Sequence, residues 1–315
     1  LYIAYASDDK FVDVMCVSIM SFNDYNSDAI IFILDCGITQ QNKQKIVELC
    51  SGRNMVLFID AQNILKGLHY NLNLDRGSIA AYARLFIGRM LPDYVNKVLY
   101  LDCDTLIKNS LKELFETDIA PFTIGGIKDA FSVLNKRVFG IAKGDTFINS
   151  GVLLIDVFKW KNEKIEEQIY HLISNQNKIF QGDQGIINAI FHGKVYELPL
   201  KYNVMTYLYD FTYEEMMFYR KPDSYFCKNV VEDATSDPVI VHFSTSFKSD
   251  RPWNGGALNH PFYDEWLRRY MFFGGKKEKE NNKATGTNNL AKLFVIRVLH
   301  AYIRPLMQKR IRIQM

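Results

Sequence analysis

The stretch Lys97–Asp104 reads KVLYLDCD: an apolar run with the composition of a strand ends at two aspartates one residue apart. Side chains alternate across a strand, so the carboxylates of Asp102 and Asp104 are expected to project from one face while Cys103 packs in the core. Two like charges side by side repel, and each raises the pKa of the other unless a positive charge sits between them. A hard divalent cation such as Mn²⁺ or Mg²⁺ meets that need and can in turn neutralise a diphosphate. A carboxylate nucleophile beside a carboxylic acid meets it differently, as a phosphoryl-transfer pair. The D-x-D spacing alone is weak evidence; its place at the end of an apolar strand gives it value.

The elements that must position the pair alternate. YIAYA near the N-terminus, IIFILD, MVLFID and KVLYLD have the composition of buried strands. Between them lie an apolar helical segment from Phe11 to Phe22, a helix starting at Thr39 and stopping at Gly52, and a helix over Ser78–Met90 ended by Pro92. This alternation predicts an α/β fold with a largely parallel sheet, whose functional residues gather at the C-terminal ends of its strands. Asp8, Asp35, Asp60 and Asp102 occupy such ends. Further on, NSGVLLIDV reads as a strand, Trp160–Asn175 and DQGIINAIF as helices, and PVIVHFS as a late strand. There is no G-x-G-x-x-G and no G-x-x-x-x-G-K-[ST], which sets aside the commonest dinucleotide and P-loop readings.

Composition narrows the class. The chain has 315 residues, 48% of them hydrophobic, enough for one large or two small domains with a substantial core. Five scattered cysteines, none in a C-x-x-C pair, argue against a disulfide framework or zinc site and suit a reducing cytosol. No apolar run approaches a membrane span, and the N-terminus has neither a basic leader nor a cleavage pattern, so neither a transmembrane helix nor a signal peptide is expected. The net charge of +3 is uneven: residues 276–315 hold ten basic and two acidic residues, leaving a mildly acidic body for which nucleic acid is an unsuitable partner.

Six blocks occur in order: YASDD, AAYARLFIGRMLP, VLYLDCDTLI, FINSGVLLIDVFKW, GDQGIINAIF and VHFSTSFKSDRPW. Their order and wording, over roughly residues 1–270, resemble glycosyltransferase family 8, which includes bacterial lipopolysaccharide galactosyl- and glucosyltransferases. The resemblance implies a GT-A fold, with a mostly parallel mixed sheet, acting on a UDP-sugar donor with Mn²⁺. It further implies that Ala6 and Asp8 contact the uracil, although Lys10 stands where the family often has Asn. Arg84 of the Y-A-R block would reach toward the donor phosphates and sugar, and Arg76 would border the acceptor. Asp102 and Asp104 would bind the metal, with His242 as its third protein ligand through a neutral imidazole nitrogen. Asn149, Gly151 and Asp129 would face the transferred sugar.

After the histidine the chain departs from the family's H-F-x-G-x-x-K-P-W. Lys248 keeps the spacing of the lysine, whereas the P-W pair follows Arg251, and Thr245 replaces glycine. Either cation could grip the leaving diphosphate; Arg251 is favoured, because the P-W turn sets its direction and a guanidinium fork suits phosphate oxygens. The residue the family places beneath the anomeric carbon aligns with Gln184, a poor nucleophile with Asp183 beside it, so front-face attack is expected over a covalent intermediate.

The resulting expectation is a retaining hexosyltransferase in a domain spanning 1–275, moving galactose or glucose from UDP to a cell-surface glycan. A polar linker and a basic, apolar tail over 276–315 would bind the anionic inner face of the cytoplasmic membrane. Two other readings stand beside it. One is a haloacid-dehalogenase-type phosphatase with Asp102 as nucleophile, against which Leu106 occupies the position that motif gives to Thr or Val. The other is a non-catalytic sugar-nucleotide or glycan-binding protein.

Overall fold

The structure, a computed structural model, describes residues 1–66, 78–175, 181–276 and 290–307. Arg76, most of the polar linker (277–289) and the last residues of the tail (308–315) lie outside the described residues. Ten strands are described: β1 (Tyr2–Ser7), β2 (Ile30–Asp35), β3 (Met55–Asp60), β4 (Lys97–Leu101), β5 (Thr105–Ile107), β6 (Ile124–Lys128), β7 (Ile148–Asp156), β8 (Tyr196–Glu197), β9 (Val204–Met205) and β10 (Ile240–His242). Seven of them form the central sheet in the order β3-β2-β1-β4-β7-β6-β8. Within it β7 runs against its neighbours β4 and β6, and the other pairs are parallel, as the mostly parallel α/β reading expects.

The strands read as unbroken apolar runs because both faces of the sheet are covered. In β1, Ile3 and Tyr5 pack into one core together with Leu99 and Leu101 of β4 and the helix Val12–Tyr25. Ala4 and Ala6 face the opposite core with Val98 and Tyr100. A smaller sheet, β5-β10-β9, stands beside the large one. A third apolar cluster, Val14, Val17, Leu106, Val241, Phe243 and Trp266, fastens β5 and β10 to the first helix and to the helix Tyr263–Phe272.

Two helical expectations are corrected, and a third is met. Ser78–Met90 is a 3₁₀ stretch over Ala80–Phe86 followed by one α-turn, Ile87–Met90. There the Nε of Arg84 donates to the carbonyl of Ala81 at 2.9 Å. Trp160–Asn175 is two helices, Val157–Asn162 and Ile165–Ser174, separated at Lys164, which adopts left-handed φ of 52°. The expected helix from Thr39 begins with Thr39 as its N-cap and covers Gln40–Cys50.

The described part of the tail is not a free anchor. Residues 290–307 form a helix with a wide-turned middle, Val298–Ile303, packed on the domain. Pro305 has no N–H to offer the carbonyl of Ala301, which instead accepts from Ser132 Oγ at 3.3 Å, while Asn135 Nδ2 donates to the carbonyl of His300 at 3.1 Å. His300 is buried among Phe131, Tyr219 and Phe247.

Candidate active site

β4 ends at Leu101, and Asp102–Asp104 make the turn into β5, so the two carboxylates are not neighbours on one strand face as the sequence reading supposes. They still converge. The turn is held by backbone bonds, from Asp102 N to Gly151 O at 2.7 Å and from Phe243 N to Asp104 O at 2.9 Å. Beneath it runs a buried hydroxyl chain, from Tyr5 through Ser18 to Thr105, whose Oγ1 donates to Asp102 O at 2.8 Å. Cys103 points away into the core, its Sγ toward the carbonyl of Ala6 and its thiol pushed well up by burial and by the flanking aspartates.

The third member arrives from far along the chain. β10 pairs antiparallel with β5, His242 opposite Thr105, which sets the imidazole beside the turn. Its Nε2 lies 3.2 Å from Asp104 Oδ1 and 3.8 Å from Asp102 Oδ2. One ligand atom from each of the three buried residues lies within 4.8 Å of the others. Two carboxylates and an imidazole with a nitrogen aimed between them form a donor set suited to Mn²⁺ or Mg²⁺, so the residues fit the cation.

An arginine stands on each side. Arg84, 3% exposed, donates from Nη2 to Asp102 Oδ1 at 2.6 Å and from Nη1 to the carbonyl of Ser150 at 2.6 Å, while its Nε lies 3.2 Å from Asp183 Oδ2. Burial works against its charge, but Asp102 and Asp183 more than offset this and hold the guanidinium above its ordinary pKa. It therefore ties the aspartate turn to the helix Gly182–Phe191. On the other side Arg251 Nε lies 3.6 Å from Asp104 Oδ2, with the guanidinium over Trp253. Lys248 points elsewhere: its Nζ donates to the carbonyl of Asp210 at 2.7 Å, pairs with Glu215 and sits over the ring of Phe211. The structure thus brings Arg251 and not Lys248 to the aspartates.

Gly151 is required by the protein itself. A Cβ there would fall on the imidazole of His242 and within 2.8 Å of Asp102 Oδ2. Asn149 and Gln184 are buried and joined, Asn149 Nδ2 donating to Gln184 Oε1 at 3.1 Å. Asp183 Oδ2 accepts from Ser150 Oγ at 3.1 Å. Asp129 is buried, its Oδ1 accepting from Ala130 N at 2.8 Å and from Tyr207 OH at 3.1 Å, with Arg220 Nη1 at 3.5 Å. At the end of β1, Asp8 Oδ2 accepts from Ser78 Oγ at 2.7 Å, whereas its buried Oδ1 has no partner among the described residues, an acceptor in want of a donor. Ala6 is buried beside it and Lys10 is exposed. Sequence reasoning missed Asn203 and Arg220, which nothing in their local sequence marks, and passed over Ser150 between Asn149 and Gly151.

An Asp-Asp-His cluster that could hold a cation, with an arginine on each side, lies at a strand end of the mostly parallel α/β sheet. Residues 2–256 match the model of glycosyl transferase family 8, and the chain belongs to that family of glycosyltransferases. It is 25% identical over 283 residues to General stress protein A of Bacillus subtilis (strain 168), covering 87% of this chain and 93% of that protein. It is 24% identical over 273 residues to the lipopolysaccharide 1,2-glucosyltransferase of Escherichia coli (strain K12), covering 82% of this chain and 74% of that one. Among solved structures, an active-site mutant of LgtC superposes with a TM-score of 0.71 at 26% identity, over 86% of this chain and 96% of that one. The mixed α/β fold is the GT-A fold of that structure, and family membership displaces the phosphatase reading of Asp102.

Proposed function

We propose that the protein is a retaining, divalent-cation-dependent hexosyltransferase, moving galactose or glucose from a UDP-sugar to a hydroxyl of a lipopolysaccharide- or capsule-type glycan. The observation that carries this reading is the convergence of Asp102, Asp104 and His242 within 4.8 Å, with Arg84 and Arg251 on its flanks. Arg84 is shared between Asp102 and Asp183 and Arg251 lies beside Asp104, so two guanidinium charges face three carboxylates. A Mn²⁺ or Mg²⁺ ion held by the three ligands would supply the positive charge that a departing diphosphate needs. Arg251, beside Asp104, would add a guanidinium fork to the diphosphate, stabilising charge that grows as the glycosidic bond breaks. Asp8 Oδ1, buried and unpartnered, suits the imide N–H of uracil.

On the sugar side, Gln184 Oε1 already accepts from Asn149 and from Ser150 N at 3.3 Å, and Asp183 Oδ2 is held by Arg84 and Ser150. An amide whose oxygen is so engaged is a poor nucleophile, which supports front-face attack by the acceptor hydroxyl. The family's lipopolysaccharide glucosyltransferase supports the glycan class of acceptor. The test is UDP release from a panel of UDP-sugars. Slow hydrolysis of UDP-galactose or UDP-glucose is expected with Mn²⁺ and is abolished by chelator. Failure with every UDP-sugar, while sugar-nucleotide binding persists, would leave a non-catalytic binding protein.

The docked tail supports a peripheral place on the inner face of the cytoplasmic membrane. No helix among the described residues is long and apolar enough to cross a membrane. The terminal helix buries His300, Ala301 and Pro305 but leaves Phe294, Val295, Leu299, Ile303, Leu306 and Met307 exposed, the last two by 74% and 78%. Arg297 and Arg304 lie among them. Apolar side chains beside cations suit an anionic leaflet. Leu306→Glu with Met307→Glu should abolish co-sedimentation with phosphatidylglycerol vesicles at low salt and leave donor hydrolysis intact. Undiminished binding would show that this face is not the anchor.

A further inference from the structure

Asn203, just before β9, is fully buried and stands between Asn149 and the histidine expected to ligate the cation. The imidazole Nδ1 of His242 lies 2.9 Å from Asn203 Oδ1, and Asn203 Nδ2 donates to Asn149 Oδ1 at 2.9 Å. Two backbone N–H groups determine the polarity of this chain of amides. Ser150 N donates to Gln184 Oε1, so that the atom facing Asn149 is an oxygen and Asn149 must answer with its Nδ2. Gly151 N donates to Asn149 Oδ1 at 2.9 Å, which demands the same orientation independently. Asn203 must then present Nδ2 to Asn149 and Oδ1 to His242. An amide oxygen can only accept, so the proton of the imidazole belongs on Nδ1.

We propose that Asn203 is a positioning residue that holds His242 in the Nδ1–H tautomer, leaving the Nε2 lone pair free for a divalent cation between Asp102 and Asp104. The inference rests on the cation reading of the site. Left to itself, a ring whose Nε2 lies 3.2 Å from a carboxylate oxygen would place its proton there, between ring and carboxylate, and so block the ligand position. The amide relay removes that alternative. It also links the ligand to Gln184, so that the cation side and the sugar side of the site share one hydrogen-bonded frame. Outer partners of this kind orient ligating histidines, and losing one weakens metal binding about 10- to 100-fold.

The test uses the full chain without donor. The Mn²⁺ dissociation constant is read from the electron paramagnetic resonance of free Mn²⁺, and the His242 tautomer from long-range ¹H–¹⁵N NMR of the metal-free protein. The expected result is an Nδ1–H tautomer in the native protein. Asn203→Leu, close in volume but without polar atoms, should weaken Mn²⁺ about 10- to 100-fold and move the proton of His242 toward Nε2. Native-like affinity in a folded Asn203→Leu protein overturns the proposal. So does an unchanged tautomer, which would mark a packing role alone. Should the variant not fold, the native tautomer decides, since a proton on Nε2 in the metal-free protein overturns the assignment. If the native protein binds no Mn²⁺ at all, the cation reading itself has failed, and the native titration shows this before any variant is made.

Discussion

Replacing Arg84 by Met keeps most of the side-chain volume and removes the charge that two buried carboxylates share. The Arg84 side chain is 3% exposed and those of Asp102 and Asp183 are each 11% exposed, so little solvent is at hand to screen what remains. Removing one partner of such a pair costs about 3–5 kcal/mol, most of it from the uncompensated charge left behind. The orphaned carbonyl of Ser150 and the lost packing of the guanidinium over Tyr100, 4.3 Å from the ring centroid, add to that cost. Arg84→Lys keeps a charge, but a single ammonium cannot span Asp102, Asp183, Ser150 and Ala81. At about 1.5–3 kcal/mol for a hydrogen bond to a charged group, it should fall between the native protein and the Met variant. Urea denaturation at neutral pH measures all three. The decisive comparison adds Asp183→Asn to Arg84→Met: with one carboxylate neutralised, the double variant should be less destabilised than the sum of the single losses, by about 0.5–3 kcal/mol. A loss below about 1 kcal/mol for Arg84→Met, or strict additivity, would refute the claim that this guanidinium balances both aspartates.

Arg251→Ala should lower UDP-sugar turnover about 30- to 1000-fold, the loss expected for a charge contact of about 2–4 kcal/mol made in the transition state, whereas Lys248→Ala should have a small effect; steady-state rates give the ranking, and the reverse order would show that Lys248 swings into the site. Gly151→Ala forces a methyl group against His242 and Asp102, so it should weaken Mn²⁺ binding in the donor-free protein, as read by titration. His300, whose pKa is lowered from 6.5 to about 2 by burial and by Arg220 and Arg304, is neutral when docked. An undocked helix takes up a proton that the docked one refuses, so docking is strongest above pH 6.5 and weakens toward about pH 2. At pH 5.5 the cost is about 1.4 kcal/mol, visible as amide protection factors over 294–307, corrected for the pH dependence of intrinsic exchange, about tenfold lower than at pH 7.5, a difference absent in His300→Phe.

The amino-acid sequence by itself determined the alternating α/β order, because strands covered on both faces, fully in β1, β2 and β4 and partly in the edge strand β3, must be largely apolar. It also marked Asp102 and Asp104, since charges rarely end an apolar run without cause, and through six ordered blocks it pointed to the family. Local periodicity could not show that Ser78–Met90 tightens into a 3₁₀ stretch around Arg84, nor that the helix after Trp160 breaks at Lys164. Tertiary structure decided the rest, because the site is made by pairings between segments distant in the chain. The β5–β10 register brings His242 to Asp104, and the close approach of β7 to His242 gives Gly151 a structural reason of its own. The choice between Arg251 and Lys248 lay in where the loop after His242 folds, which places one cation on Asp104 and the other on Asp210 and Glu215. Asn203 had no local signal at all, since a buried amide acquires its meaning only from the groups on either side of it, here His242 and Asn149. The tail shows the same limit: its basic and apolar composition was legible, but not that Ser132 and Asn135 hold two of its carbonyls and leave one apolar face outward.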